Sequence, residues 1–268
     1  HNEKYPFYTS SSEYMKTHFK KFADWSLKKY LKSNSKLIEI GSNDGTFLNN
    51  FLKTNIDFLG FEPSSNVAKQ AMNNNIKTVN VFFNSENTQN LKNFRNQTDV
   101  VCGANVIAHV PDLKDLISSI DMLLTTKGVF IFEEPYLGSM FSNVSYDQIY
   151  DEHIFMFSLH SIKKIFNLFD FELIDAIPQI THGGSIRYVV GRKNIHKIHN
   201  RVHDGLASEK RKKMDDLASC LKFKKNCENS KRKITDSLKK FKENGKKICG
   251  YAATAKSSTI LNYCNINS

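Results

Sequence analysis

The stretch "KLIEIGSNDG", residues 36–45, joins a short apolar run to a polar turn that contains Gly41 and Gly45. This pattern predicts a strand that ends in a glycine turn, because Gly allows the backbone to bend and to approach a ligand closely. The following segment, "TFLNNFLKTN", predicts a helix, and "DFLGFEPS" predicts a second strand that ends near Glu62. In doubly wound sheets, ligands bind at the carboxyl ends of the strands near such a crossing.

The alternation of strands and helices continues along the chain. "KTVNVFF", "TDVVCGANVI" and "GVFIFEEP" predict strands, while "SNVAKQAMNN" and "LKDLISSIDMLLTTKG" predict helices. A further amphipathic helix is expected after Ser158, and "FELIDAIPQITHGGSIRYVVGRK" predicts two strands joined by a hairpin around Gly183 and Gly184. We therefore predict an α/β fold with a mostly parallel Rossmann-like sheet that ends in an antiparallel hairpin.

Four segments follow from these patterns. Residues 1–34 form an N-terminal helical segment with Ser11 or Ser12 as N-cap, and residues 35–194 form the main α/β domain. The highly charged residues 195–245 predict one long helix or a helix pair that acts as a linker. Residues 246–268 include "KKICGYAATAKSSTILNY", which predicts a strand, a small-residue turn and a helix. We expect this last segment to begin a second α/β unit, so that the chain is a fragment.

Composition narrows the class of protein. The chain has 268 residues, of which 40% are hydrophobic and 12% aromatic, so it can bury a core. It contains no apolar run of about 18 residues, so no membrane span is expected. Five cysteines without a C-x-x-C pair favour a reduced, cytoplasmic protein and make a zinc site within these residues unexpected.

The net charge is +11, much of it from the Lys-rich sequence after residue 195. A basic chain can bind nucleic acid or an anionic small molecule. No nucleic-acid-binding motif is present, so an anionic small molecule is the favoured partner.

The glycine turn distinguishes two classes of cofactor. A nicotinamide dinucleotide normally requires G-x-G-x-x-G, and the spacing "GSNDG" does not match it. The pattern E-x-G-x-x-x-G instead resembles the first motif of class I S-adenosylmethionine-dependent methyltransferases, with Asn43 in the place of the usual middle glycine. The antiparallel terminal hairpin also resembles that fold. A structural turn without a ligand is the alternative.

This resemblance implies a set of cofactor-binding residues. Glu39, Gly41 and Gly45 would shape the site for the amino-acid part of S-adenosylmethionine, and Glu62 would hold the ribose hydroxyls. Asn84, just after the third strand, is a candidate near the adenine, and Asn105, after the fourth strand, faces the same crevice.

Five further segments narrow the resemblance to one family of methyltransferases. "YPFYTSSSEYMKTHF", "ANVIAHVPDL", "YDQIYDEHIFMFS", "THGGSIRYVV" and "GYAATAKSSTILNY" together resemble the C-methyltransferases that modify nucleotide-linked keto-deoxysugars. That family implies an N-terminal zinc-binding domain, whose cysteines are absent from this chain, then a methyltransferase domain and a Rossmann-like domain. Thr254 stands where the family often has proline, and Lys256 is retained.

Carbon methylation requires a base that removes a proton next to a ketone, and a group that stabilises the enolate. His153 fits the base, because its ordinary pKa is near 6.5. Glu152 could bind the sugar or tune this histidine, and Tyr150 could donate to the enolate. In an extended segment Glu152 and His153 would point to opposite sides unless the chain turns. A metal site at Glu152 and His153 is disfavoured, because no other clustered ligands accompany them.

The family resemblance adds four candidates. His109 resembles another active-site position, and Tyr8 or Tyr5 would close the site from the N-terminal segment. Lys256 could contact a substrate phosphate, and Arg187 is a second cation near the crevice. The structural alternatives are a structural histidine, a solvated lysine and a surface-paired arginine.

The favoured interpretation is a C-methyltransferase acting on a nucleotide-linked 4-keto-deoxysugar. One alternative is an O- or N-methyltransferase of the same fold. A second is a non-catalytic nucleotide- or nucleic-acid-binding protein that uses the basic helix. The sugar, the stereochemistry and the oligomeric state do not follow from the sequence.

Overall fold

Seven strands form one sheet in a computed structural model that describes residues 5–251 and 254–267. The strand order is β3-β2-β1-β4-β5-β7-β6, and every pair is parallel except those that include β7. This confirms the predicted mostly parallel sheet with an antiparallel terminal hairpin. The strands are β1 (Lys36–Ile40), β2 (Asp57–Phe61), β3 (Thr78–Val79), β4 (Thr98–Ala104), β5 (Leu124–Pro135), β6 (Phe171–Gln179) and β7 (Ser185–Arg192).

Helices cover both faces of the sheet. Phe22 of α1 belongs to the core on one face, whereas Ile120 of α4 and Phe166 of α6 belong to the core on the other. Burial of both faces explains the near-continuous apolar runs of the central strands. The helices are α1 (Glu13–Lys29), α2 (Ser65–Asn73), α3 (Ser85–Thr88), α4 (Leu113–Leu123), α5 (Leu137–Asn143), α6 (Leu159–Asn167), α7 (Asn200–Arg211), α8 (Leu217–Glu243) and α9 (Ala255–Cys264).

Side-chain caps set several helix starts. Ser12, one of the two predicted caps, accepts a hydrogen bond from the Met15 N–H at the start of α1. Ser158 and Ser161 form a capping box at the start of α6, as the sequence indicates. Thr254 forms a capping box with Ser257 at the start of α9, so the residue that replaces proline starts this helix with its hydroxyl.

The helix predicted over residues 46–55 is wrong in extent, since only a short 3₁₀ turn forms at Leu48–Phe51. Local hydrogen bonds compete with a longer helix there. The Asn50 amide donates to the carbonyls of Thr46 and Phe47, and the Thr54 hydroxyl donates to the Phe51 carbonyl.

Two further elements differ from the prediction. The third strand is limited to Thr78–Val79, where it pairs with β2 at the edge of the sheet. The described part of the C-terminal segment has α9 but no strand over residues 246–251. These residues are exposed and have no neighbouring strand with which to pair, and an isolated strand is not stable in water.

Residues 195–245, expected to act as a linker, contain the two helices α7 and α8, and α7 packs against α6 and β6 of the main domain. Helix α9 packs against α8 and against the 3₁₀ turn Tyr146–Gln148, which brings the C-terminal segment onto the main sheet domain. Among the described residues, no helix is long and apolar enough to cross a membrane.

Candidate active site

The glycine turn after β1 is shaped by two close packing contacts. Gly41 has φ of +67°, and a Cβ atom there would lie 2.4 Å from Cγ2 of Val106. Gly45 has φ of +78°, and its Cβ would lie 2.8 Å from Cγ1 of Ile76. Both positions therefore exclude side chains for conformational and steric reasons. The turn brings backbone unusually close to the loop that follows β4.

Asn43 occupies the place of the usual middle glycine and adopts φ of +49°, a left-handed conformation that Asn tolerates well. The Asn43 side chain also makes hydrogen bonds that a glycine could not make. The Oδ1 atom accepts hydrogen bonds from the N–H and hydroxyl of Thr9, and the amide donates to the Phe7 carbonyl. Asp44 accepts a hydrogen bond from the Ser10 N–H. These hydrogen bonds hold residues 7–10 against the glycine turn.

Two buried carboxylates flank the turn. Glu62, directly after β2, accepts hydrogen bonds from the N–H groups of Asn43 and Ser64 at 2.9 and 2.8 Å. Burial nevertheless raises the Glu62 pKa. Burial raises the pKa of Glu39 well above its usual value, and the charges of Glu62 and Asp44 add to this effect. The site therefore concentrates acceptor oxygens in a poorly solvated region.

Among the acceptor atoms without a partner in the described residues, two lie on β1 and directly after β4. They are Oε2 of Glu39 and Oδ1 of Asn105, and both atoms are buried. Asn105 has φ of +56° immediately after β4, and its N–H donates to the Glu133 carbonyl. Buried acceptors without partners are costly, so a donor group of a ligand would relieve them.

Asn84 lies at the start of α3, where its side chain accepts a hydrogen bond from the Asn87 N–H as the helix N-cap. Its carboxamide oxygen is therefore used locally. A cofactor-binding role for Asn84 stays a prediction.

Tyr150 and His153 form a direct hydrogen-bonded pair, with 2.9 Å between the phenol oxygen and Nε2. The chain turns here, since the His153 N–H donates to the Tyr150 carbonyl at 3.0 Å. The extended arrangement considered from the sequence is therefore wrong, and the alternative of a turning loop holds. Tyr150, rather than its neighbour Glu152, contacts the histidine ring.

The His153 tautomer follows from its partners. Nδ1 lies 2.8 Å from the Gln148 carbonyl oxygen, which can only accept, so Nδ1 carries the proton. Nε2 of the neutral ring then accepts from the Tyr150 hydroxyl. Burial lowers the His153 pKa, and the charges of His109 and Lys256 lower it further, which favours the neutral ring at neutral pH. Burial raises the Tyr150 pKa to about 12, so its hydroxyl stays protonated.

His109 and Glu152 flank this pair. The ring centroids of His109 and His153 are 5.0 Å apart. The His109 ring hydrogen-bonds to backbone groups of Glu152 and Asn105, while burial lowers the His109 pKa. The Glu152 side chain is exposed, and its charge raises the pKa values of Tyr5 and Tyr150. His109 therefore lies beside His153, and its catalytic role stays a prediction.

Both N-terminal tyrosines contact Asn66, Tyr5 through its backbone and Tyr8 through its hydroxyl. The Tyr8 hydroxyl accepts a hydrogen bond from the Asn66 amide at 2.9 Å. The pKa of Tyr5 is raised by burial, then by the charges of Glu152 and Glu62. The assignment of Tyr8 or Tyr5 to closure of the site stays a prediction.

Lys256 lies in the first turn of α9, and its Nζ is 3.3 Å from Nδ1 of His182. Burial lowers the Lys256 pKa, although the Asp147 carboxylate opposes this shift. His182 has φ of +51° in the β6–β7 connection, and burial together with Lys256 lowers its pKa to about 4. Sequence reasoning missed His182, although its position beside Gly183 and Gly184 was a usable signal.

Arg187 is not available as a substrate-binding cation in this arrangement, which corrects the expectation for this residue. It lies in β7 on the α1 side of the sheet, where its Nε donates to Glu133 Oε1 at 2.7 Å. Its guanidinium carbon lies 3.9 Å from the centroid of the Phe22 ring. His18 completes the group, with Nε2 at 2.6 Å from Glu133 Oε2. The structural alternative was a paired arginine at the surface. Arg187 is paired, but it is buried.

No group of three or more His, Cys, Asp or Glu side chains suited to a metal ion occurs within residues 5–251 and 254–267.

Family models match almost the whole chain. The model described as "Methyltransferase domain" matches residues 12–176, and the model described as "C-methyltransferase C-terminal domain" matches residues 180–268. A curated relative, "C-methyltransferase NovU" from Streptomyces niveus, is 26% identical over 251 residues. That match covers 93% of this chain and 60% of the relative, so the chain spans about three fifths of its length.

Solved structures share the fold at low sequence identity. The PH0226 protein from Pyrococcus horikoshii OT3 matches with a TM-score of 0.55 and 15% identity, covering 70% of this chain and 96% of that chain. Magnesium protoporphyrin IX methyltransferase from Synechocystis PCC 6803, solved with bound S-adenosylhomocysteine, matches with a TM-score of 0.50 and 14% identity. That match covers 66% of this chain and 83% of the Synechocystis chain.

Proposed function

The chain belongs to the methyltransferase-domain family, and from this premise we propose that it transfers a methyl group from S-adenosylmethionine to a carbon atom. The substrate that we propose is a nucleotide-linked 4-keto-deoxysugar, methylated next to its ketone. The observation that carries the proposal is the Tyr150–His153 pair, in which a neutral imidazole carries its proton on Nδ1 and accepts a hydrogen bond from the Tyr150 hydroxyl at Nε2. The C-methyltransferase match at residues 180–268 and the NovU relative support the same class.

The residues present fit S-adenosylmethionine. Its amino-acid part carries an ammonium group, and the buried Glu39 Oε2 and Asn105 Oδ1 are acceptors without partners among the described residues. Glu62 stands at the end of β2, where a carboxylate can accept from ribose hydroxyls. Gly41 lets the turn pack closely against Val106 of the loop after β4. When bound, this cofactor supplies an electrophilic methyl group.

His153 would act as the base. Its Nε2 takes the proton from the carbon next to the ketone, and the electron pair of that C–H bond moves to form the enolate. The Gln148 carbonyl holds the proton on Nδ1, so the ring receives the new proton only at Nε2. The resulting imidazolium is held in place by the same carbonyl.

Tyr150 would act as a hydrogen-bond donor to the developing enolate oxygen. Its hydroxyl stays protonated at neutral pH because its pKa is raised to about 12. Donation to the substrate oxygen would replace donation to His153, which frees Nε2 for the proton. Removal of one donor of this kind typically lowers kcat by about 100-fold or more.

His109, Glu152 and Tyr5 would contact the sugar from the rim, and Lys256 with its neighbour His182 would face the diphosphate. The Lys256 ammonium is a point charge that suits an anion. The division into residues 1–34, 35–194, 195–245 and 246–268 is part of the same proposal, with the last segment contributing Lys256 to the site.

Solvent-deuterium exchange tests the carbon chemistry without the methyl donor. We expect a nucleotide-linked 4-keto-deoxysugar in deuterated buffer to exchange its α-proton when the protein is added. His153→Ala should lose this exchange while keeping cofactor affinity, and His160→Ala, an exposed histidine in α6, should keep both. An O- or N-methyltransferase would methylate its substrate without exchange. Normal exchange by His153→Ala would overturn the assignment of the base.

A further inference from the structure

Glu134 is a buried carboxylate that none of the roles above uses. It lies near the carboxyl end of β5 and is 0% exposed. Its Oε1 accepts hydrogen bonds from three successive backbone N–H groups in the loop after β4. The distances are 2.9 Å to Val106, 2.6 Å to Ile107 and 3.3 Å to Ala108. One carboxylate oxygen therefore fixes the backbone immediately before His109.

The same loop holds the His153 segment. The Ala108 carbonyl accepts hydrogen bonds from the N–H groups of Ile154 and Phe155 at 3.0 and 3.2 Å. These two residues directly follow His153. A continuous chain of hydrogen bonds thus runs from Glu134 through the Ala108 peptide to the backbone beside His153.

The loop also packs on the cofactor side. Val106, whose N–H is bound by Glu134, is the residue against which a Cβ at Gly41 would clash. Asn105, with its unpartnered Oδ1, directly precedes this group of N–H donors. The position of the loop therefore sets both the width of the glycine turn and the place of His153.

We propose that Glu134 is a positioning residue for methyl transfer, which aligns the His109 and His153 segments with the glycine turn through the N–H groups of residues 106–108. This inference rests on the proposed function for its catalytic consequence. The hydrogen-bond geometry that it describes is independent of that function. Glu134 acts through other residues and is not proposed to contact the substrate.

Ionisation of Glu134 is linked to this role. Burial raises its pKa to about 7, although the three N–H donors oppose the shift. The titratable groups that face it are Glu133 on its own strand, Tyr188 on β7 and Tyr150 on the His153 segment. Opening of the loop would expose the carboxylate to water and return its pKa toward the ordinary value, so opening becomes easier as the pH rises. The loop is therefore held most firmly below neutral pH.

Two measurements that need no substrate test the positioning role. Amide hydrogen exchange of residues 106–108 and 154–155 should become about tenfold faster or more in Glu134→Ala. Glu134→Gln retains an acceptor oxygen and should stay between Glu134→Ala and the wild type. The ring ¹⁵N shifts of His153 should report the Nδ1-protonated tautomer in the wild type and a mixture of tautomers in Glu134→Ala. Glu86→Gln is the control, because Glu86 is an exposed carboxylate in α3 and its replacement should leave both readouts unchanged.

The catalytic arm uses the same variants. We expect kcat to fall by about 100-fold in Glu134→Ala, with KM less affected, because a small displacement of the base slows the chemical step. If the wild type shows no carbon methylation, the proposed function fails while the exchange and tautomer results still decide the role of Glu134. Wild-type exchange rates and tautomer in both Glu134 variants would overturn the inference.

If Glu134→Ala does not fold, the test is decided with Glu134→Gln. Protection of residues 106–108, corrected for the intrinsic exchange rate, should weaken in the wild type as the pH rises from about 4.5 to about 7, and it should be independent of pH in Glu134→Gln. Identical pH profiles in the two proteins would contradict the positioning role.

Discussion

Replacement of Gly41 by alanine tests whether the glycine turn is shaped by its contact with the loop after β4. The chain offers a matched control in Gly245, which follows α8. Its φ of +68° equals that of Gly41 within one degree, and nothing lies within 4 Å of the Cβ that it would gain. The two substitutions therefore share their conformational cost and differ in packing.

The expected magnitudes follow from these two environments. A left-handed conformation costs alanine about 1–2 kcal/mol at either position. At Gly41 the new Cβ would also lie 2.4 Å from Cγ2 of Val106, so that side chain must rotate or the backbone must shift. Overpacking of this kind costs about 1–3 kcal/mol. Gly41→Ala should thus lower the free energy of unfolding by about 1–3 kcal/mol more than Gly245→Ala.

Urea unfolding, followed by far-ultraviolet circular dichroism, measures both variants under one condition. Gly41→Ala should also weaken S-adenosylmethionine binding, whereas Gly245→Ala should not. The double substitution Gly41→Ala/Val106→Ala removes the clashing methyl groups and should cost less than the sum of the two single changes. Equal destabilisation by Gly41→Ala and Gly245→Ala would refute the packing argument.

Three further predictions concern buried acids. Glu62→Gln should lower affinity for S-adenosylmethionine by about tenfold or more without unfolding the protein, because it replaces an acceptor oxygen with a donor; unchanged affinity in calorimetry would contradict the ribose assignment. Glu134 has a pKa raised from 4.5 to about 7, so its contribution to stability is present below pH 4.5 and lost as the pH rises to about 7. The loss is about 3 kcal/mol, and Glu134→Gln should remove it from the pH dependence of urea unfolding. Asp175 has a pKa lowered through Arg201 and Lys29 despite the opposing effect of burial, so its contribution is present above the ordinary pKa of 3.8 and lost as the pH falls below it. Asp175→Asn should flatten the acid limb of the same profile, and an unchanged limb would count against the pairing.

The sheet follows from local sequence patterns because each strand and helix carries its own periodicity. The run before Gly41 and the hairpin at Gly183 and Gly184 are examples in which strand and turn signals lie side by side. The helix expected over residues 46–55 failed because hydrogen bonds from Asn50 and Thr54 to nearby carbonyls compete with helix formation. Periodicity alone carries no information about such competition.

The candidate site depends more than the sheet does on contacts between residues that are far apart in the sequence. His153 stands out in the sequence because it lies with two acids between hydrophobic residues, but its pairing with Tyr150 requires a turn that the sequence pattern does not predict. Arg187 was expected in the crevice, yet its side chain enters the α1 side of the sheet, where Glu133 and Phe22 bind it. Glu134 was part of a predicted strand, and its importance arises from a loop 26–28 residues away.

Methyl-group mapping tests the central claim most directly. The protein would be incubated with a set of nucleotide-linked 4-keto-deoxysugars and S-adenosylmethionine that carries a ¹³C-labelled methyl group, and the product examined by mass spectrometry and carbon NMR. We expect a bond between the labelled methyl carbon and the carbon next to the ketone, and no such product with His153→Ala. A labelled methyl on oxygen or nitrogen, or full carbon methylation by His153→Ala, would contradict it.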